Sequence, residues 1–180
     1  MDMIDTAFQL FTANGIRPVS MQDIEKATGQ RWDSKINKSQ LVELCVYRLE
    51  KEVEQRVQPL VFDVENPADW ILEVYKSLLD YLLSINLAFF NDLKKHYQEA
   101  YQHMITNGDR LIFDEVAQVL HRGKDSGQFT AEVEPELECV IHKMMLERIV
   151  WELRFETRTY TTEQMFNHLF KARFKGICRR

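Results

Sequence analysis

Glu138, Cys139 and His142 form the tightest cluster of ligand-type side chains in the chain, with His142 one helical turn beyond Cys139. A zinc site draws several such groups together from more than one element. This set therefore needs a further ligand from another helix, and a pocket-lining histidine that hydrogen-bonds a ligand is the simpler use of His142. His96 and His103 stand seven apart, near one face of a helix, under the same requirement. No HExxH, GxSxG, phosphate-cradling glycine loop or pair of acids framed by glycine-rich turns is present, so catalysis finds little support, and neither metal nor cofactor is expected. Most acids fall on solvent-facing helical positions. Cys45, Cys139 and Cys178 are far apart with no CxxC pair, which favours free thiols in a reducing compartment and a cytoplasmic protein.

A second set of residues has the chemistry of a binding cavity. Trp70, Tyr75, Tyr81, Phe89, Tyr97, Tyr101 and Phe113, joined by His142 and Met145, supply more aromatic and flexible surface than a helical body of this size needs. They are expected to line a pocket for a small apolar or aromatic effector, mostly apolar with a few polar groups. Taken singly, each is better explained as core or interface. With 180 residues and a hydrophobic fraction of 45%, the chain can bury one substantial core, or a small head and a larger body. No apolar run approaches a membrane span, and Asp2 stands where a basic leader would begin a secretory signal. The formal charge of −5 opposes DNA binding by the molecule as a whole. Between residues 17 and 38, however, Arg17, Lys26, Arg31, Lys35 and Lys38 outnumber Asp23, Glu25 and Asp33, a weak local excess.

The elements that would position these groups are helices. Ile4, Ala7, Phe8, Leu10 and Phe11 recur at helical spacing, and Asn14-Gly15 supplies a stop. Ser20 is placed to cap a second helix, with Asp23 as the capping-box acid; Met21, Ile24 and Ala27 face inward, and Thr28-Gly29 ends it. A long helix is expected from about Ser39 to Val57. Asn66-Pro67 opens another that runs to Ser84. Leu87–Phe90 leads into a helix to about Ile105, broken by Asn107-Gly108, and Asp109 to His121 forms one more. Gly123 to Phe129 is expected as a loop, followed by helices from Pro135 to about Glu156 and from Thr162 to about Lys175.

Ala7-Phe8-Gln9-Leu10-Phe11, Asn14-Gly15-Ile16, Val19-Ser20-Met21-Gln22-Asp23-Ile24, Lys26-Ala27-Thr28-Gly29 and Asn37-Lys38-Ser39-Gln40-Leu41 together resemble the TetR family of bacterial transcriptional regulators. Further on, the glycine-bounded segment 123–129, Thr162–Phe166 and Phe174–Ile177 are compatible with its later helices. The specific part covers Ile4 to Leu41. The family normally carries a turn, a short recognition helix and an aromatic phrase before the serine-lysine. Here Gln30 to Asn37 is shorter and offers only Trp32 as a ring. Three alternatives stand: a shortened helix with weak or lost DNA binding, an unusual but functional turn and helix, or loop residues missing from the chain as written.

The resemblance implies an all-α fold with an N-terminal three-helix helix-turn-helix head, residues 1–45, and a ligand-binding and dimerisation bundle, residues 46–180. In such a head the second helix crosses the DNA backbone while the third enters the major groove. Ser20 and Gln22 then meet phosphate, with simple capping as the bland role. Gln30, Arg31 and Lys35 are candidates for groove or backbone contacts, since arginine pairs with guanine and glutamine with adenine edges, and Lys38 for phosphate. Trp32 is expected to pack in the head. Leu137, Ile141, Met144, Ile149, Met165, Phe166, Leu169 and Phe170 carry more apolar surface than two terminal helices can hide, so a four-helix homodimer interface is expected. The function so implied is a ligand-responsive regulator, a repressor at a palindromic operator in double-stranded DNA. The rival is a dimeric small-molecule-binding or interaction protein on the same scaffold that no longer reads DNA.

Overall fold

The computed structural model describes residues 2–31, 36–57, 66–153 and 160–178. Eight helices follow in chain order among them: α1 Met3–Asn14, α2 Met21–Thr28, α3 Lys38–Val57, α4 Pro67–Ser84, α5 Leu87–His96, α6 Gln98–Asp125, α7 Pro135–Glu147 and α8 from Thr162 to Ile177. A π-helical stretch, Arg148–Leu153, prolongs α7, and another, Asn167–Lys171, widens the middle of α8. The only β pairing among the described residues is an isolated bridge between Phe129 and Cys178. The chain divides into two compact units, residues 1–53 with 84–108 and residues 54–83 with 109–180.

In the N-terminal unit, the local signals act as expected. α1 ends at Asn14, and Gly15 follows with φ 87°. Ser20 Oγ accepts from the Asp23 amide while the Asp23 carboxylate accepts from the Ser20 amide, a complete capping box that starts α2. Gly29 closes α2 in the left-handed conformation, its N–H donating to Glu25 O. Ile24 is fully buried, whereas Ala27 is exposed, so α2 turns a narrower face inward than its apolar spacing suggests. Phe11, Ile16, Leu41, Val42 and Phe89 are fully buried within this unit.

Two expectations fail at α6. Asn107-Gly108 does not end a helix: α6 runs from Gln98 to Asp125, and the break falls at Tyr97, with φ −134° and ψ 58°. Glycine inside a helix costs about 1 kcal/mol relative to alanine. Burial of Met104 on one side and of Val116, Val119 and Leu120 on the other outweighs it. Asn107-Gly108 instead marks where the chain passes from one compact unit to the other. Nor is Gly123 in a loop. It lies in the last turns of α6, and a Cβ there would stand 2.5 Å from Phe129 Cδ2, so only glycine lets this ring cover the helix.

In the C-terminal unit, Asn66 caps α4 through its side-chain oxygen, which accepts from the Ala68 and Asp69 amides, and Pro67 takes the first helical position. α4 buries Trp70, Ile71, Val74, Tyr75, Leu78 and Leu79. α8 begins at a second capping box, Thr161 with Gln164, and buries Phe166, Phe170 and Phe174.

Candidate functional site

The head of the N-terminal unit is built around the turn between α1 and α2. Asp92 on α5 accepts from the Ile16 and Arg17 amides at 2.9 and 2.8 Å. Asn86 adds two bonds: its amide N–H to Thr12 O at 2.7 Å and its side-chain N–H to Ala13 O at 3.0 Å. Gly15 is what permits this close approach, because a Cβ would stand 2.9 Å from Ala88 Cβ. The turn is thereby fastened to α5 on one side. Lys38 fastens it on the other, donating from Nζ to Ile16 O at 2.8 Å and Val19 O at 2.6 Å, with the ammonium 5.8 Å from the centre of the Phe11 ring.

Lys38 was expected at phosphate. Two of the roughly three N–H groups of its ammonium are instead engaged by main-chain carbonyls. Partial burial lowers its pKa, against the opposing pull of Asp92 and Asp23. It positions the turn. Ser20, Gln22, Gln30 and Arg31 are exposed, with Gln30 and Arg31 directly beyond the end of α2. The Ser20 hydroxyl donates to the Asp23 carboxylate at 2.6 Å, and these Ser20 hydrogen bonds hold the Asp23 carboxyl below its ordinary range. Ser20 thus caps α2. Lys35 and Trp32 lie outside the described residues.

The expected ligand residues divide between the units. Phe89, Tyr97 and Tyr101 belong to the N-terminal unit, and Trp70, Tyr75, Tyr81, Phe113, His142 and Met145 to the other. Among the latter, the structure brings Tyr75 and His142 together. The Tyr75 hydroxyl lies 3.0 Å from His142 Nδ1, inside a cluster with Phe170 and Phe174, whose rings are 5.1 Å from Tyr75 and 5.3 Å from His142 respectively. Burial raises the Tyr75 pKa well above its ordinary value, so its O–H is the donor and His142 carries its proton on Nε2. That Nε2 is 3.6 Å from the Glu138 carboxylate, too far for a hydrogen bond, and has no partner among the described residues. Glu138 is itself held by Arg173 through two bonds of 2.7 Å. Burial, then the charge of Arg173, pushes the imidazole down to about 3. Glu138 does not reverse this because its charge is already matched by Arg173.

The rest of the set is dispersed. Trp70 is buried, with its indole N–H unpartnered among the described residues. Tyr81 lies under the Arg56 guanidinium, 3.8 Å from ring centre to Cζ. Phe113 contributes its carbonyl, which accepts from the Cys139 thiol at 3.8 Å; burial pushes that thiol up to about 11, so it stays protonated. All three cysteines are free. Among the described residues, no three or more His, Cys, Asp or Glu side chains gather to hold a metal ion, and no helix is long and apolar enough to cross a membrane.

The expected interface residues also separate. Leu137 and Met144 are exposed on α7, and Val140 between them is as well. Ile141, Met165 and Leu169 are half-buried. Ile149, Phe166 and Phe170 are buried in the core of their own chain, so they are not available to a partner. Sequence reasoning missed the partners that matter most: Arg173, Asp92 and Asn86. The only signal was the i, i+4 spacing of Glu138 and His142; nothing local marks the others.

No protein-family model and no curated protein matches the sequence. Solved structures do. A putative transcriptional regulator from Saccharomonospora viridis, in complex with choline, is similar with a TM-score of 0.81 at 15% identity, over 99% of this chain and 96% of that one. The reduced form of E. coli NemR is similar at 0.76 and 17% identity, over 98% and 95%. A putative TetR-family transcriptional regulator from Rhodococcus sp. gives 0.72 at 15%, over 98% and 96%. The chain therefore has the all-α TetR-like fold, an N-terminal helical head with a larger helical bundle.

Proposed function

We propose that this chain is a ligand-responsive transcriptional regulator, a repressor that binds a roughly palindromic operator in double-stranded DNA as a homodimer, and not an enzyme. The observation that carries the reading is the α1–turn–α2 unit. Its capping box, left-handed Gly29 and double fastening through Asp92 and Lys38 hold two helices rigidly and leave Gln30 and Arg31 exposed at the exit. The likeness of fold to putative transcriptional regulators over nearly the whole chain supports it. The functional division in this reading is 1–45 for DNA and 46–180 for effector and partner; by contacts, residues 84–108 group instead with 1–53.

Dimerisation is supported by Leu137, Val140 and Met144, exposed by 58%, 54% and 64% at spacings of three and four on α7. This stripe is self-complementary in a two-fold pairing. The effector we propose is small and apolar or aromatic, and it reaches the ring cluster around Tyr75 and His142, where the Nε2–H offers a polar anchor. Effector and DNA are coupled only if the two conformations differ in affinity for the effector.

Selection of DNA fragments by the purified protein across salt concentrations tests the reading. Sequence preference and salt-dependent affinity are expected, and absence of both at low salt ends it. Arg31→Ala should weaken binding severalfold to about a hundredfold while dimer mass is unchanged. A second reading, the same dimeric scaffold binding small molecules without reading DNA, is favoured by the internal engagement of Lys38 and the net charge of −5. Effector binding without DNA binding would select it.

A further inference from the structure

In the C-terminal unit, α4 and α8 border an open cleft of about 400 Å³. Lys76 and Asp80 of α4 and Glu163 and Lys171 of α8 line it, two cations and two carboxylates. None of the four has an ion-pair partner among the described residues, and Lys76 and Asp80 form no pair although i, i+4 spacing on α4 brings them within reach. Leu79 and Phe166, both almost fully buried, contribute an apolar base. Asn167 lines the same cleft, and its Oδ1 is closed to solvent without a hydrogen-bond partner among the described residues. It stands at the start of the π-helical stretch that also carries Lys171, and such widened turns recur at binding sites.

Charge selects the occupant. An anion drawn to the lysines meets two carboxylates, and a cation drawn to the carboxylates meets two ammonium groups. A molecule carrying both signs a few ångströms apart satisfies both pairs at once. The volume lies at the small end of ligand clefts, about 300–1,000 Å³. We propose that this cleft binds a small zwitterion with an apolar side chain, an aliphatic or aromatic α-amino acid being the simplest member. Its carboxylate meets Lys76 and Lys171, its ammonium meets Asp80 and Glu163, and its side chain rests on Leu79 and Phe166. Phe166 stacks on Phe170 with centroids 5.4 Å apart, and Phe170 touches Tyr75, so ring contacts join the cleft to the Tyr75–His142 pair. The inference is independent of whether the chain reads DNA.

The open, hydrated walls keep affinity near the millimolar range. Calorimetric titration of the full chain, with amide shifts mapped by NMR, uses L-leucine and L-phenylalanine as probes. The comparison compounds are 4-methylpentanoate and isopentylamine, which lack the ammonium and the carboxylate respectively. The amino acids should bind about tenfold or more tightly than either, shift Asn167 and Lys171, and weaken as salt is raised. Asp80→Asn and Lys171→Gln, both at exposed positions, should each lose about tenfold with an unchanged melting temperature. The proposal is overturned if amino acids and half-charged analogues bind alike, if the shifts map elsewhere, if both variants bind as the parent does, or if neither probe binds at about 50 mM, far above the millimolar range.

Discussion

Lowering the pH from 7 to 5 should destabilise the C-terminal unit through one residue, His142. Its imidazole is fully buried against Tyr75, Phe170 and Phe174, and its pKa falls from 6.5 to about 3 because burial and then Arg173 disfavour the cation. Between these values the unfolded chain binds a proton that the folded chain refuses. Stability from this residue is therefore fully present above 6.5 and drains as the pH falls towards 3. Integrating over the window from pH 7 to pH 5 gives a loss of about 2 kcal/mol from this residue alone. Urea denaturation followed by tryptophan fluorescence, in a Trp32→Phe background, reports on the right unit, since the two remaining tryptophans, Trp70 and Trp151, both belong to it. His142→Asn keeps an acceptor at the Nδ1 position for the Tyr75 hydroxyl and removes the titration. The variant should be less stable than the parent at pH 7 yet lose about 2 kcal/mol less on acidification. Equal acid sensitivity in parent and variant refutes the reasoning, as does an imidazole that titrates near 6.5 by NMR.

Arg173→Met leaves the Glu138 carboxylate buried without its bidentate partner and should cost roughly 3 kcal/mol, while Arg173→Met with Glu138→Leu recovers most of the loss; thermal melts check both. Gly123→Ala drives a methyl into the Phe129 ring and should lower stability by about 1–3 kcal/mol, read from denaturation midpoints. Val140→Lys puts a charge in the middle of the exposed α7 stripe; sedimentation should show a shift towards monomer with an unchanged circular dichroism spectrum, and an intact dimer would remove this stripe from the interface.

The features legible in the sequence are those whose physics is local. Ser20 with Asp23, Gly29 after α2, and Asn66-Pro67 before α4 each act within one helical turn, so residue type and spacing suffice to place them. Asn107-Gly108 misleads for the same reason: locally it is a breaker, and only burial on both sides of it keeps α6 continuous. The terminal helices mislead through surplus. Ile149, Phe166 and Phe170 look like interface because both helices are rich in apolar residues, yet these three fill their own core and leave the exposed stripe to Leu137, Val140 and Met144. Lys38 reads as a phosphate contact until Ile16 and Val19 present their carbonyls to it. The pairing of Tyr75 with His142 spans α4 and α7, and no spacing within either helix announces it.

The fastening of the α1–α2 turn bears on how the chain is made. Asp92 and Asn86, which hold Ile16, Arg17, Thr12 and Ala13, come more than 70 residues later in the sequence. During synthesis the first two helices therefore leave the ribosome well before the groups that lock their turn exist as chain. Closing a loop of that length is entropically unfavourable until the contacts form together. The head is thus completed from behind, and a nascent chain halted at Val57 carries α1 and α2 without the α5 residues that set their angle. Maturation of the N-terminal surface becomes a late event, dependent on translation at least through Asp92.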